Sequence, residues 1–167
     1  MNLKNYWISK LIIILGIFFL SSANADIKIK ASQKVSNFLN TIKEFASEKD
    51  SLNKIKRSNE LLDMVDLEFM SKATVGKYWK TVNDNEKIIF KRELFNKFIQ
   101  FIDLHLEDFK EIKFQEKSIK LRGQKLVYVT GSIDTKKIKN LDITWKLSSK
   151  QNKILDVEIE KISLIKT

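Results

Sequence analysis

The chain has 167 residues, with 31 Lys and Arg against 21 Asp and Glu, 43% hydrophobic side chains, no Cys and no Pro. That length fits one domain of ordinary size and excludes a long multidomain enzyme, while the aromatic content is enough to build a core. Without Cys there is no disulfide scaffold, thiolate metal site, cysteine nucleophile or lipoprotein anchor, and the single histidine, His105, removes most metal and triad chemistry.

At the N-terminus, Lys4 and Lys10 precede an apolar run from Leu11 to Leu20, followed by Ser21-Ser22-Ala23-Asn24-Ala25. This order of charged, apolar and small residues reads as a secretory leader over residues 1–25, cleaved after Ala25, which places the protein in the periplasm. A membrane span needs about 20 apolar residues, and Lys10 stands where such a span would have to extend. Residues 26–167 are then read as a single α+β domain. Its positive charge comes almost wholly from Lys, since Arg is limited to Arg57, Arg92 and Arg122. Arg is the residue that makes bidentate contacts to bases and phosphates, so no nucleic-acid partner is expected. Lysines spread along the chain suit a solvated surface, or attraction to anionic lipids or acidic proteins.

Ile29 to Phe45 places Val35, Phe38, Leu39, Ile42 and Phe45 at helical spacing, a first amphipathic helix that a polar stretch around Glu48 to Asn53 breaks. Leu61 to Val75 reads as one or two short helices ending near Gly76. Asn83-Asp84-Asn85-Glu86 has the spacing of a capping box, and the helix it opens is predicted to persist to about Phe109 with a wide aromatic face. Extended segments follow at Glu111 to Leu121, Lys125 to Ile133, around Ile143 to Leu147, and at Leu155 to Glu160, separated by short polar turns. Such short connections require antiparallel pairing, so the expectation is a four-stranded meander with helices on one face.

Asp156, Glu158 and Glu160 alternate with apolar residues and read as the wet face of an edge strand, although paired carboxylates can also serve as acid and base. His105 falls within the apolar arc of the long helix and reads as a core histidine. After Ala25 the glycines are Gly76, Gly123 and Gly131, too few for a phosphate loop, nucleophile elbow or dinucleotide fingerprint. No enzyme motif, catalytic residue or metal site is expected.

Val65-Asp66-Leu67-Glu68-Phe69-Met70, then Val75-Gly76-Lys77-Tyr78-Trp79-Lys80, then Asn85-Glu86 and Phe90, form a pattern that resembles the MlaC-type periplasmic phospholipid-binding proteins, also called toluene-tolerance proteins. Asp156 to Leu164 resembles the Asp-Val-x-x-Glu-Gly-Val-Ser-Leu segment of that family. Lys161 stands where the family usually has Gly, and Ile154 where it usually has Trp. The family's C-terminal helices have no counterpart before Thr167.

The resemblance implies an α+β fold of the NTF2-like or cystatin-like kind, with an apolar cavity between helices and sheet. It implies a carrier that takes a phospholipid from an inner-membrane ABC-type transporter complex to an outer-membrane lipoprotein complex, or the reverse, maintaining outer-membrane lipid asymmetry. No cofactor is implied; the phospholipid is cargo. Residues expected on inward faces, and so as candidate lipid walls, are Phe69, Val75, Phe98, Ile102, Val127, Val129, Trp145 and Val157. Trp79 is expected to anchor the junction beside Gly76. The competing readings are a small-molecule isomerase or dehydratase on the same fold, using His105 or Asp156, and an adaptor with a filled core.

Overall fold

The computed structural model of the protein describes residues 3–165, with side chains from Asn24 onward. The leader expected over residues 1–25 thus lies almost wholly outside the residues described with side chains. Among the described residues no helix is long and apolar enough to cross a membrane. Five α-helices come first: α1 (Leu3–Ser47), α2 (Ser51–Met64), α3 (Leu67–Val75), α4 (Asp84–Leu104) and α5 (Leu106–Lys110), with a 3-10 turn at Gly76–Lys80 between α3 and α4. Five strands follow: β1 (Lys113–Arg122), β2 (Leu126–Asp134), β3 (Leu141–Ser148), β4 (Ile154–Ile159) and β5 (Ile162–Ser163). They form one antiparallel sheet in sequence order.

Local chemistry explains where each helix begins. Asp50 accepts from the Asn53 amide and Asp66 from the Phe69 amide, so each carboxylate satisfies a donor that the first turn leaves free. Asn83 and Glu86 form a complete capping box at the start of α4, as the spacing predicts. Gly76 ends α3 at φ 64° and ψ −133°, a backbone conformation open to glycine and hardly to other residues.

The core lies between the helices and one face of the sheet. From α1 it takes Ala31, Val35, Phe38, Leu39, Ile42 and Phe45, at the three- and four-residue steps of a single helix face. From the sheet it takes Val127, Val129, Ile133, Ile143, Trp145, Leu147 and Val157, the alternate residues of central strands. Val129 pairs with Trp145 and Trp145 with Val157, so one row of core side chains crosses three strands.

Four expectations are corrected. The sheet has five strands, because Glu160 and Lys161 both adopt positive φ (49° and 69°) and turn the chain tightly enough to lay Ile162–Ser163 back along β4. β4 is therefore not an edge strand, and Asp156 is 3% exposed where a wet face was expected. The long helix stops at Leu104: His105 leaves the helical region at φ −126°, and five more helical residues follow as α5. His105 is exposed, with its ring against Phe101 at a centroid distance of 4.6 Å.

Candidate functional site

α4 packs chiefly against α1, α3 and α5, standing outside the layer in which α1 covers β1 and β2. Ile88, Phe95, Ile99 and Ile102 recur at seven, four and three residues along it, one stripe facing the body. Their exposure changes along that stripe. Ile102 is 0% exposed, Phe95 and Ile99 are half-buried, and Ile88 is 59% exposed. The stripe is buried at its C-terminal end and exposed at its N-terminal end, and the apolar surface it forms with α1 and α3 is called the wedge.

Aromatic rings line the closed part of this wedge. Phe38 stacks with Phe98 across α1 and α4, and meets Trp145 edge-on at 5.6 Å between centroids. Phe95 lies 6.2 Å from Phe98, and the half-buried Leu62 and Met70 pack against the same core. Four buried side-chain polar atoms have no hydrogen-bond partner among the described residues: Ser71 Oγ, Asp108 Oδ1, Trp145 Nε1 and Asp156 Oδ1. At the rim, Lys91 of α4 pairs with Glu68 of α3 at 2.9 Å, and Trp79, buried beside Gly76, meets Phe90 edge-on. Trp79 thus holds the junction in the manner expected.

Of the residues expected to face inward, Ile102, Val127, Val129, Trp145 and Val157 lie in the buried core, and Phe98 is half-buried against it. Val75 is half-buried at the end of α3. Phe69 departs from the expectation. It is 43% exposed, because the cap at Asp66 sets the rotation of α3 so that Ser71 is enclosed instead. Phe38, Ile88, Phe95 and Ile99 belong to the wedge and were not picked out as wall residues. Their signal was present in the helical periodicity, but periodicity does not say which end of a stripe is buried.

Between helices and sheet lie the side chains of the core. Open volume is found at the surface in two grooves. One, of about 120 Å³, runs between α1 and the start of β1 at Leu39, Asn40, Lys43 and Phe114. The other, of about 410 Å³, lies by Lys113, Gln115, Asp134, Lys139 and Asn140. Neither contains a residue of the wedge.

The groups an enzyme would need do not converge. Asp156 lies on the sheet face away from the helices, where Lys146 bonds its carboxylate at 2.9 Å and also reaches Glu158, and where Ser163 Oγ donates to it at 2.9 Å. Burial pulls the Lys146 ammonium down, and the hydrogen bonds to Glu158 and Asp156 outweigh it, so its pKa sits above the ordinary lysine value. His105 belongs to the helical layer and places Nδ1 2.9 Å from the Phe101 carbonyl.

A family model described as MlaC protein matches residues 30–167. Among solved structures, the chain is similar to a phospholipid-binding protein from Ralstonia solanacearum in complex with a phospholipid, at 13% identity and a TM-score of 0.64, over 83% of this chain and 80% of that one. Among curated proteins none matches the sequence. At that identity the likeness to the solved structure concerns the fold.

Proposed function

Because the chain belongs to the MlaC family, we propose that it is a periplasmic carrier that holds a phospholipid by its acyl chains in the wedge beneath α4. The observation that carries this reading is the single stripe on α4 that passes from fully buried Ile102 to exposed Ile88 above the Phe38, Phe98 and Trp145 rings. Two acyl chains hold about 30 methylenes, and at about 0.8 kcal/mol each their exposure to water costs on the order of 25 kcal/mol. A carrier has to cover them, and only apolar side chains do so without desolvating a polar group. In this reading the chains enter at the exposed end of the stripe, while the headgroup stays in water there.

The same reading places the carrier between an inner-membrane ABC-type transporter complex and an outer-membrane lipoprotein complex, as the family resemblance implies. It makes the protein a binding protein, not an enzyme: holding a lipid forms and breaks no covalent bond. Native mass spectrometry of protein purified from the cell envelope, followed by lipid extraction, tests the proposal. The expected result is one diacyl phospholipid per chain. Protein that never carries lipid, and takes up none from vesicles, overturns it.

A further inference from the structure

One end of the molecule carries a cluster of cations with few carboxylates beside it. Ser149 N and Oγ donate to the carbonyls of Lys125 and Gln124, so the β1–β2 and β3–β4 turns are tied side by side. Asn152 Nδ2 donates to the Lys30 carbonyl, which brings that part of α1 to the same place. Six cations share this end: Lys28 and Lys30 on α1, Arg122 and Lys125 flanking one turn, Lys150 and Lys153 in the other. Lys30 pairs with Asp26, and among the described residues no carboxylate lies within ion-pair distance of the other five. At the opposite end Lys117, Lys137 and Lys110 are paired with Asp142, Asp108 and Glu107, while Lys113, Lys136 and Lys139 have no ion-pair partner among the described residues.

The exposed end of the wedge lies at the basic end. Asp66 N donates to the Ile154 carbonyl, next to Lys153, so α3 starts there, and Glu68 in its first turn holds Lys91 in the N-terminal half of α4. The acids around this exposed end are engaged, Asp84 with Lys87 and Glu86 and Asp66 in helix caps, with Asp63 the exception. Ile29 projects between Lys28 and Lys30 with 55% of its surface exposed.

We infer that this basic end, formed by the segment of α1 around Lys28 and Lys30 and by the two hairpin turns, docks on an anionic lipid bilayer and presents the exposed end of the wedge to it. Five of the six cations are Lys, mobile point charges that suit a diffuse negative surface better than the forked pairing by which Arg recognises one carboxylate or phosphate. They sit on two turns and a helix segment that hydrogen bonds hold side by side, and exposed Ile29 supplies an apolar side chain among them. The purpose of the surface rests on the phospholipid-binding reading, but its docking does not.

The test is sedimentation with vesicles of equal parts phosphatidylcholine and phosphatidylglycerol, against vesicles of phosphatidylcholine alone, using the full chain as the cell leaves it after expression. A triple variant, Lys125→Glu, Lys150→Glu and Lys153→Glu, is compared with Lys136→Glu, Lys137→Glu and Lys139→Glu at the other end. Near an anionic membrane each lysine is worth about a fivefold change in binding, so the first variant is expected to lose at least about a hundredfold. The second is expected to bind as the parent does, and parent binding is expected to weaken as salt shortens the screening length. Equal binding to both vesicle types, equal loss in both variants, or no loss in the first overturns the inference. Lipid content of the same preparations is read separately: protein that docks but carries no lipid defeats the carrier and leaves the docking surface standing, and protein that carries lipid without docking does the reverse.

Discussion

Phe38 of α1 stacks on Phe98 of α4 with ring centroids 6.0 Å apart and 23° between the ring planes. The contact joins the helix that carries much of the core to the middle of the helix whose stripe emerges from it. On the C-terminal side of Phe98 the stripe of α4 is buried at Ile102, and on the N-terminal side it is exposed at Ile88.

Two substitutions on that stripe therefore have opposite signatures. Ile102→Ala removes a fully buried side chain and is expected to cost about 2 to 5 kcal/mol. Ile88→Ser, at an exposed position, is expected to change stability by no more than about 0.5 kcal/mol yet lower the lipid recovered with the protein. Thermal unfolding and lipid extraction on one preparation read both, and full lipid content in the Ile88 variant would remove the exposed end of the stripe from the binding site.

Gly131 sits where β2 passes under Phe114. A Cβ there would run into the Gln115 carbonyl and the Phe114 ring, whose nearest carbon would be 2.5 Å away. Gln115 O belongs to the paired backbone of β1, so the strand itself would have to shift. Gly131→Ala is expected to destabilise by about 1 to 3 kcal/mol, seen as a lower denaturation midpoint with an unchanged slope.

Lys161 holds φ at 69° in the turn between β4 and β5, a conformation that a side chain makes costly. Lys161→Gly should relieve that cost and raise stability by up to about 1 kcal/mol. A lower melting temperature for this variant would mean that the lysine is held by something other than the turn.

Lys146 gives a pH dependence whose sign is fixed. Its pKa is raised by the carboxylates of Glu158 and Asp156, so its contribution to stability is complete below the ordinary lysine value and is lost as pH climbs through the raised one. The melting temperature of the parent should fall on the alkaline side, above about pH 10, more steeply than that of Lys146→Met. Parallel curves for the two proteins would show that the ammonium is not coupled to folding.

Features fixed by neighbouring residues were readable in the sequence. The Asn83 and Glu86 cap depends on four consecutive residues, and the inward placing of Val127, Val129, Trp145 and Val157 follows from alternation alone. What escaped depends on parts of the chain far apart. The burial of Asp156 requires β5 to return beside β4, and that return hangs on Glu160 and Lys161, residues that carry none of the usual turn chemistry. α2 begins ten residues before the apolar run at Leu61, because the Asp50 cap starts it while Leu52 and Ile55 face solvent. His105 keeps the periodicity of α4 but not its backbone, and periodicity cannot register a break that leaves the spacing intact. For the candidate site, the apolar face of α4 was legible, whereas the exposure of only one end of it is a property of packing.

β1 is an edge strand of the sheet, and its register slips between Glu116 and Ser118, leaving Lys117 as an extra residue in a bulge. A bulge kinks the free row of backbone donors and acceptors, and Lys113, Lys117 and Lys120 place charge along it. A second copy of the chain laid against this row finds neither a straight ladder nor a neutral one. Fibre-like growth by strand addition is thereby blocked at the side of the molecule most open to it, which lets the protein keep an oily cleft on its helical side without its sheet becoming a seed for aggregation.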